Sequence, residues 1–284
     1  MKTVRTKPEV RQAVADARTA GASVGFVPTM GALHEGHFSL IDRARAESGF
    51  VVVSIFVNPT QFGPNEDYQS YPRSEAADLA GCERRGADLV FAPDAREMYG
   101  DGPLTSVHVD RLGETLCGAS RPGHFDGVCT VVSKLLHVVG PDRAYFGAKD
   151  WQQAQIVRRM AGDLDFPVEI VVCPTVREPD GLAISSRNRY LSPAERRQAP
   201  ALHAALREAE GRIRASAPPA GEVIQAVRAR LADEAPDGEI DYVRIVEPED
   251  LHDVDRTDRP VLIALAVRFG RARLIDNLRV DPNV

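Results

Sequence analysis

Residues 24–37 read Val24-Gly25-Phe26-Val27-Pro28-Thr29-Met30-Gly31-Ala32-Leu33-His34-Glu35-Gly36-His37. The apolar run 24–27 is a candidate strand that ends at Pro28. Residues 36–47 then carry helical spacing, with Leu40, Ile41 and Ala44 able to share one face. Two histidines three residues apart fall on one face of a helical first turn. The start of a helix offers unpaired N–H groups and partial positive charge, both favourable to phosphate. Gly36 lets a ligand approach the backbone closely. Imidazoles can donate hydrogen bonds to a phosphate oxygen as charge builds there. Two blander readings compete. A metal site would need a third ligand, and none is evident nearby; a solvated helix start would need nothing. The strand–glycine–histidine–helix context favours nucleotide handling.

Outward from this stretch the pattern repeats. Residues 50–57 are a continuous apolar run, as expected of a strand buried on both faces. Helices are expected over 72–85, 124–139 and 150–160, and strands over 88–92, 143–146 and 168–173. Alternating strands and helices with near-continuous apolar strands imply a Rossmann-like, doubly wound α/β fold with a parallel sheet. Ligands of such sheets sit at the carboxyl ends of the strands, so the loops from Pro28, Asn58, Gly147 and Pro174 are expected to converge. Composition changes near Thr175. Helices over 192–215 and 221–235, and strands over 240–246, 261–267 and 272–277, point to a smaller C-terminal α/β domain. The expected domains are residues 1–175 and a covering lid of residues 176–284.

Bulk properties narrow the class. The 284 residues are 43% hydrophobic and 27% charged, with net charge −6. That balance suits a globular chain and argues against nucleic acid or an anionic membrane as partner. The first 17 residues mix charges without an apolar signal core, and no segment is apolar enough to span a bilayer. A cytoplasmic location is expected. Cys82, Cys117, Cys129 and Cys173 form no C-x-x-C pair and read as buried free thiols.

A second polar stretch, residues 177–189, holds Ile184-Ser185-Ser186-Arg187-Asn188. Its arginines and paired serines suit a mobile loop folding over a triphosphate. Alone it reads equally as a solvated linker. Together the two stretches resemble the nucleotidylyltransferase superfamily, marked by a His-x-Gly-His motif and a later Lys/Ser-rich loop. Further blocks narrow the resemblance to the pantothenate synthetase family. They are Phe56-Val57-Asn58-Pro59-Thr60-Gln61-Phe62-Gly63, Tyr71-Pro72-Arg73, Arg121-Pro122-Gly123-His124-Phe125-Asp126-Gly127-Val128, Phe146-Gly147-Ala148-Lys149-Asp150 and Gln152-Gln153.

The resemblance implies a two-step, ATP-dependent ligation. Pantoate is activated as an acyl-adenylate with loss of pyrophosphate, and β-alanine then displaces AMP to give pantothenate. It implies His34, His37 and Lys149 as catalytic residues, with His37 the proton donor. ATP contacts are implied at Met30, Gly31, Ala32, Leu33, His34, Glu35, Gly36, His37, Gly147, Ala148, Lys149, Asp150, Val176, Ile184, Ser185, Ser186 and Arg187. Gln61 and Gln153 match the family's pantoate glutamines; Asn58, Arg121 and His124 are second-rank candidates that could equally be structural. Mg²⁺ is implied, yet where relatives show paired acids this chain has Ala77-Asp78, leaving Asp78 alone as a metal candidate. A homodimer is implied as well. Competing readings are a nucleotidylyltransferase with a phosphate-bearing acceptor and a non-catalytic nucleotide sensor. The acidic chain, without an evident anticodon-binding extension, disfavours a tRNA ligase.

Overall fold

The computed structural model describes residues 1–64, 66 and 68–282. The chain divides into two compact units. The first comprises Met1–Glu114, Arg121–Ala148 and Gln153–Pro174; the second comprises Thr115–Ser120, Lys149–Gln152 and Thr175–Val284.

The first unit opens with β1 (Lys2–Val4), α1 (Lys7–Thr19), β2 (Val24–Thr29), α2 (Glu35–Glu47) and β3 (Phe50–Ile55). It continues through α3 (Glu75–Arg84), β4 (Leu89–Phe91) and α4 (Ala95–Tyr99). After α5 (Cys117–Ser120), which belongs to the second unit, come α6 (His124–Val139), β5 (Arg143–Gly147), α7 (Trp151–Asp163) and β6 (Glu169–Cys173). All strand pairs are parallel, in the order β1-β4-β3-β2-β5-β6. Val27, Val51, Val53 and Val90 pack with Leu40, Ile41 and Ala44 of α2. Side chains alternate along a strand, so Phe26, Val52, Leu89 and Phe91 point to the opposite face, and they are buried too. This double burial is why the strands read as unbroken apolar runs.

Strand order reverses between β2 and β5, which pair through Gly25–Arg143 and Phe26–Ala144. The ligand crevice of an open α/β sheet lies outside the carboxyl ends at such a point. Here those ends release the loop that begins at Met30 and the turn at Gly147-Ala148. The sheet thus brings the glycine–histidine stretch to the place where chemistry is expected.

The second unit contains α8 (Pro193–Gln198), α9 (Ala201–Ser216), α10 (Ala220–Glu234), β7 (Glu239–Val246), β8 (Val261–Phe269) and β9 (Ala272–Val280). The strands form an antiparallel meander, β7-β8-β9. Leu202, Leu206 and Ile213 of α9 and Val223, Val227 and Leu231 of α10 share a core with Ile263, Leu265 and Leu274 of the sheet. The single helix expected over 192–215 is two, separated at Pro200, which caps α9. Ala199 and Pro200 both keep helical angles, so the break lies in the hydrogen bonding: proline has no N–H to donate and its ring crowds the carbonyl four residues back. All four cysteines are free and buried. Burial pushes the Cys82 and Cys129 thiols up to about 12, which leaves them inert as nucleophiles.

Candidate active site

In the first unit, His34 is the residue preceding α2, with extended backbone (φ −142, ψ 176). An imidazole therefore stands where Ser, Thr or Asp usually caps a helix. The His34 backbone N–H donates to His37 Nδ1 at 3.4 Å. A backbone N–H can only donate, so neutral His37 carries its proton on Nε2. The two rings lie 4.1 Å apart, tilted by 35°. A Cβ on Gly36 would sit 3.0 Å from two His34 ring atoms, inside ordinary contact distance. Gly36 is thus the residue over which the His34 ring lies.

The loop leading to these histidines is held from α3. Gly31 and Ala32 both have left-handed backbone, φ 81 and φ 51. That conformation costs roughly 1–2 kcal/mol for a residue with a Cβ, so Ala32 needs support. Asp78 supplies it: Oδ2 accepts from Ala32 N at 2.9 Å, and Oδ1 accepts from Leu33 N at 2.8 Å and Ser74 Oγ at 3.1 Å. Asp78 is 3% exposed. A carboxylate so occupied does not fit the metal role expected for it. Among the described residues, the group of three ligand-bearing side chains close enough to share an ion is Glu247, Asp250 and His252, on an exposed loop of the second unit.

Gln61 closes a 3-10 turn, Pro59–Gln61, just beyond β3. Asn58 is 1% exposed and spends both ends of its amide inside the protein. Its Oδ1 accepts from Thr60 N, Thr60 Oγ1 and Tyr99 Oη at 3.3, 3.0 and 2.6 Å. Its Nδ2 donates to Gly127 O at 3.1 Å and Gln61 Oε1 at 3.2 Å. Gln61 Nε2 lies 2.8 Å from Met30 Sδ. These contacts support the structural reading of Asn58 as a brace, and Tyr99, which sequence reading did not single out, is part of the same brace.

Arg121 and His124 also act on Gln61 from behind. His124 Nδ1 donates to Gln61 O at 2.8 Å, and Arg121 Nη1 meets His124 Nε2 at 2.9 Å. A carbonyl must accept and a guanidinium must donate, so the imidazole is neutral with its proton on Nδ1. Arg121 makes a two-pronged pair with Glu66, both bonds 2.6 Å. Burial would raise the Glu66 carboxyl, but Arg121 outweighs it and holds that carboxyl below its ordinary value. Of the structural and substrate readings open for Arg121 and His124, these contacts support the structural one. Gly127 makes the whole arrangement possible: a Cβ there would lie 2.3 Å from Thr60 O and 2.7 Å from Gln61 Cα. Gln153 is half-buried in the first turn of α7.

The second unit holds the remaining candidates. Val176 and Ile184 flank an isolated antiparallel bridge between Arg177 and Ala183, Ile184 N donating to Val176 O at 3.0 Å. Between them the chain turns at Glu178-Pro179-Asp180-Gly181, closed by Gly181 N to Glu178 O at 2.8 Å. Arg177 grips buried Asp276 with two bonds of 2.6 and 2.9 Å, and Arg196 reaches Glu178 and Asp180. Asn188 Nδ2 bonds Glu178 Oε1 and Ala183 O. The stretch expected to be mobile is thus pinned at both ends. Ser185, Ser186 and Arg187, all half-buried, lie just beyond the hairpin, with Ser185 Oγ accepting from Arg187 N at 3.3 Å. Lys149 is partly exposed, 4.0 Å from Asp150, and its carbonyl accepts from Asn277 at 2.9 Å. Of the adjacent glutamines, Gln152 is consumed by Cys117 N and Thr115 O.

Comparison with known proteins gives a consistent result. The family model described as pantoate-beta-alanine ligase matches residues 2–279. The chain is 53% identical over 268 residues to the pantothenate synthetase of Desulfitobacterium hafniense (strain DSM 10664 / DCB-2), covering 94% of this chain and 95% of that one. It is 52% identical over 283 residues to that of Moorella thermoacetica, covering both chains fully. Among solved structures, pantothenate synthetase from Thermus thermophilus superposes with TM-score 0.92 at 49% identity, covering 98% of this chain and 99% of that one. Pantoate-beta-alanine ligase from Francisella tularensis, complexed with beta-gamma ATP and β-alanine, gives TM-score 0.81 at 34% identity, covering 100% and 98%.

Proposed function

We propose a reaction from one premise: the chain belongs to the pantoate-beta-alanine ligase family. Its substrates are pantoate, β-alanine and ATP. A pantoate carboxylate oxygen attacks the α-phosphorus of ATP, forming pantoyl-adenylate and releasing pyrophosphate. The β-alanine amine then attacks the acyl carbon, the acyl–phosphate oxygen bond breaks, and AMP leaves with pantothenate formed. Neither step needs a covalent enzyme intermediate; both need donors aimed at developing negative charge. The observation that carries this reading is His37: its Nδ1 accepts from the His34 N–H, which makes Nε2–H the donor of the ring. On this reading His34 and His37 contact the phosphates, and Met30, Gly31, Ala32, Leu33, Glu35 and Gly36 line the nucleotide. Gly147, Ala148, Lys149, Asp150, Val176, Ile184, Ser185, Ser186 and Arg187 supply further nucleotide contacts. Gln61 and Gln153 bind pantoate, whose oxygens suit amides that can both donate and accept. Mg²⁺ accompanies the nucleotide. A cytoplasmic homodimer completes the reading.

Pyrophosphate release from ATP with pantoate, with and without β-alanine, tests it. Release should require pantoate, AMP and pantothenate should appear together only with β-alanine, and His37→Ala should lose about 10²–10³ in kcat. Release indifferent to pantoate, or an unimpaired variant, would refute the assignment.

A further inference from the structure

Two backbone groups fix the orientation of Asn58 without ambiguity. Thr60 N–H can only donate, so the atom it meets is Oδ1; Gly127 C=O can only accept, so the atom facing it is Nδ2. The second Nδ2 hydrogen points at the Gln61 side chain, 3.2 Å away. Only an oxygen can accept there. The Gln61 amide is therefore read off from the backbone: Oε1 faces inward to Asn58, and Nε2 faces Met30. A thioether is a weak acceptor, so the Nε2 hydrogens are held by a soft partner.

We propose that Asn58 and Tyr99 are positioning residues that set the polarity of the Gln61 amide, so that Gln61 offers substrate a hydrogen-bond donor. The inference rests on the reading of Gln61 as a pantoate residue and specifies what it reads. The atom it meets is an oxygen lone pair, on a carboxylate or on a hydroxyl acting as acceptor. Tyr99 locks the far end of the relay, its hydroxyl 2.6 Å from Asn58 Oδ1 and 3.2 Å from Thr60 Oγ1. Burial pushes the Tyr99 phenol above its ordinary value, so it keeps its proton at neutral pH. A flipped Gln61 would set Nε2 against Nδ2, two donors face to face, and would expose an acceptor to an anionic substrate. The same amide cannot serve both orientations, and that is how a brace can select ligand chemistry.

Asn58→Asp tests this directly. A protonated aspartic acid keeps an acceptor oxygen but only one O–H where the asparagine amide has two, so Gly127 O and Gln61 Oε1 compete for it; an ionised one has acceptors only. The titratable and charged groups facing this position are Tyr99, with Lys134 over its ring, and, behind Gln61, His124 and the Arg121–Glu66 pair; all are present in wild type, whose pH profile is the baseline. The pantoate KM of Asn58→Asp should be lowest at the acid end of the folded range, though above wild type because one of the two donated bonds is lost. It should then climb about tenfold or more as the introduced carboxyl ionises and Gln61 turns over, one hydrogen bond being roughly 1.4 kcal/mol. The ATP KM should stay flat, and Asn58→Leu should be impaired without the climb. Tyr99→Phe, which removes a single hydroxyl, should raise pantoate KM a few-fold with ATP KM and melting temperature unchanged. Gln61→Met separates the two levels of inference. If it leaves pantoate KM unchanged, the pantoate assignment of Gln61 fails. If it is impaired while Asn58→Asp shows no pH-dependent climb, or the climb persists in the Asn58→Asp/Gln61→Met double variant, the polarity relay alone is overturned.

Discussion

Replacing Gly127 by alanine adds one methyl group at the first turn of α6. That methyl would stand 2.3 Å from Thr60 O, 2.6 Å from Thr60 C and 2.7 Å from Gln61 Cα. All three are backbone atoms, with no flexible side chain to yield. Ordinary contact begins near 3.5 Å, so the 59–61 turn and α6 must separate by about 1 Å. The Asn58 Nδ2 bond to Gly127 O and the His124 bond to Gln61 O both span this junction. Overpacking of this kind costs about 1–3 kcal/mol of stability. Displacing Gln61 by about 1 Å should cost on the order of 10²-fold in turnover, or about 2.7 kcal/mol in barrier. The assay is steady-state pantothenate formation at varied pantoate, paired with urea denaturation. Gly211→Ala is the control: it lies within α9, and a Cβ there meets nothing within 4 Å. It should leave turnover unchanged and stabilise by about 0.5–1 kcal/mol. A Gly127→Ala enzyme with wild-type kcat and pantoate KM would refute the claim that this junction aims Gln61.

Three further outcomes are expected. Asp78→Asn retains one acceptor oxygen and turns an amide donor toward the loop, losing about 1.5–3 kcal/mol of charge-assisted bonding. Activity should fall while the Mg²⁺ concentration for half-maximal rate stays put, and a rise in that concentration would make Asp78 a metal ligand after all. Arg177→Met strands the buried Asp276 carboxylate and should destabilise the second unit by about 3–5 kcal/mol; a denaturation midpoint equal to wild type would contradict the burial of that pair. Burial, then the Arg177 charge, holds the His203 imidazole below its ordinary value. As pH falls below about 6.5, the unfolded chain takes up the proton first, so stability is lost from there down to the depressed folded value. His203→Gln should flatten that loss, and an unaltered pH slope of the denaturation midpoint would rule His203 out as its source.

Much of the scaffold was legible because burial on both faces leaves a direct mark. The strands at 50–55 and 143–147, and the apolar side of α6, announce themselves through unbroken or periodic hydrophobic residues. The amino-terminal β1 and α1 left little trace: α1 buries only Val10 and Val14 among charged neighbours. The break at Pro200 was hidden by alanine- and arginine-rich flanks that favour helix on either side. In the site, the glycine–histidine stretch could be read because its members are adjacent in sequence. Its supports could not. Asp78 lies 46 residues from Ala32, Tyr99 lies 41 from Asn58, and Glu66 lies 55 from Arg121. Nothing in sequence spacing reveals which backbone N–H a distant carboxylate will meet. Asp78 accordingly looked like a metal contact and the choice open for Asn58 stayed open, whereas the hydrogen bonds support an anchoring role for each.

The His34 ring resting on Gly36 has a corollary for inheritance. Alanine at 36 is obstructed only while an imidazole occupies 34. A lineage that lost the imidazole would be released from the glycine, whereas one that kept it would have to shift the ring by a few tenths of an ångström. The two changes therefore have a favoured order, with loss of the imidazole at 34 easing alanine at 36.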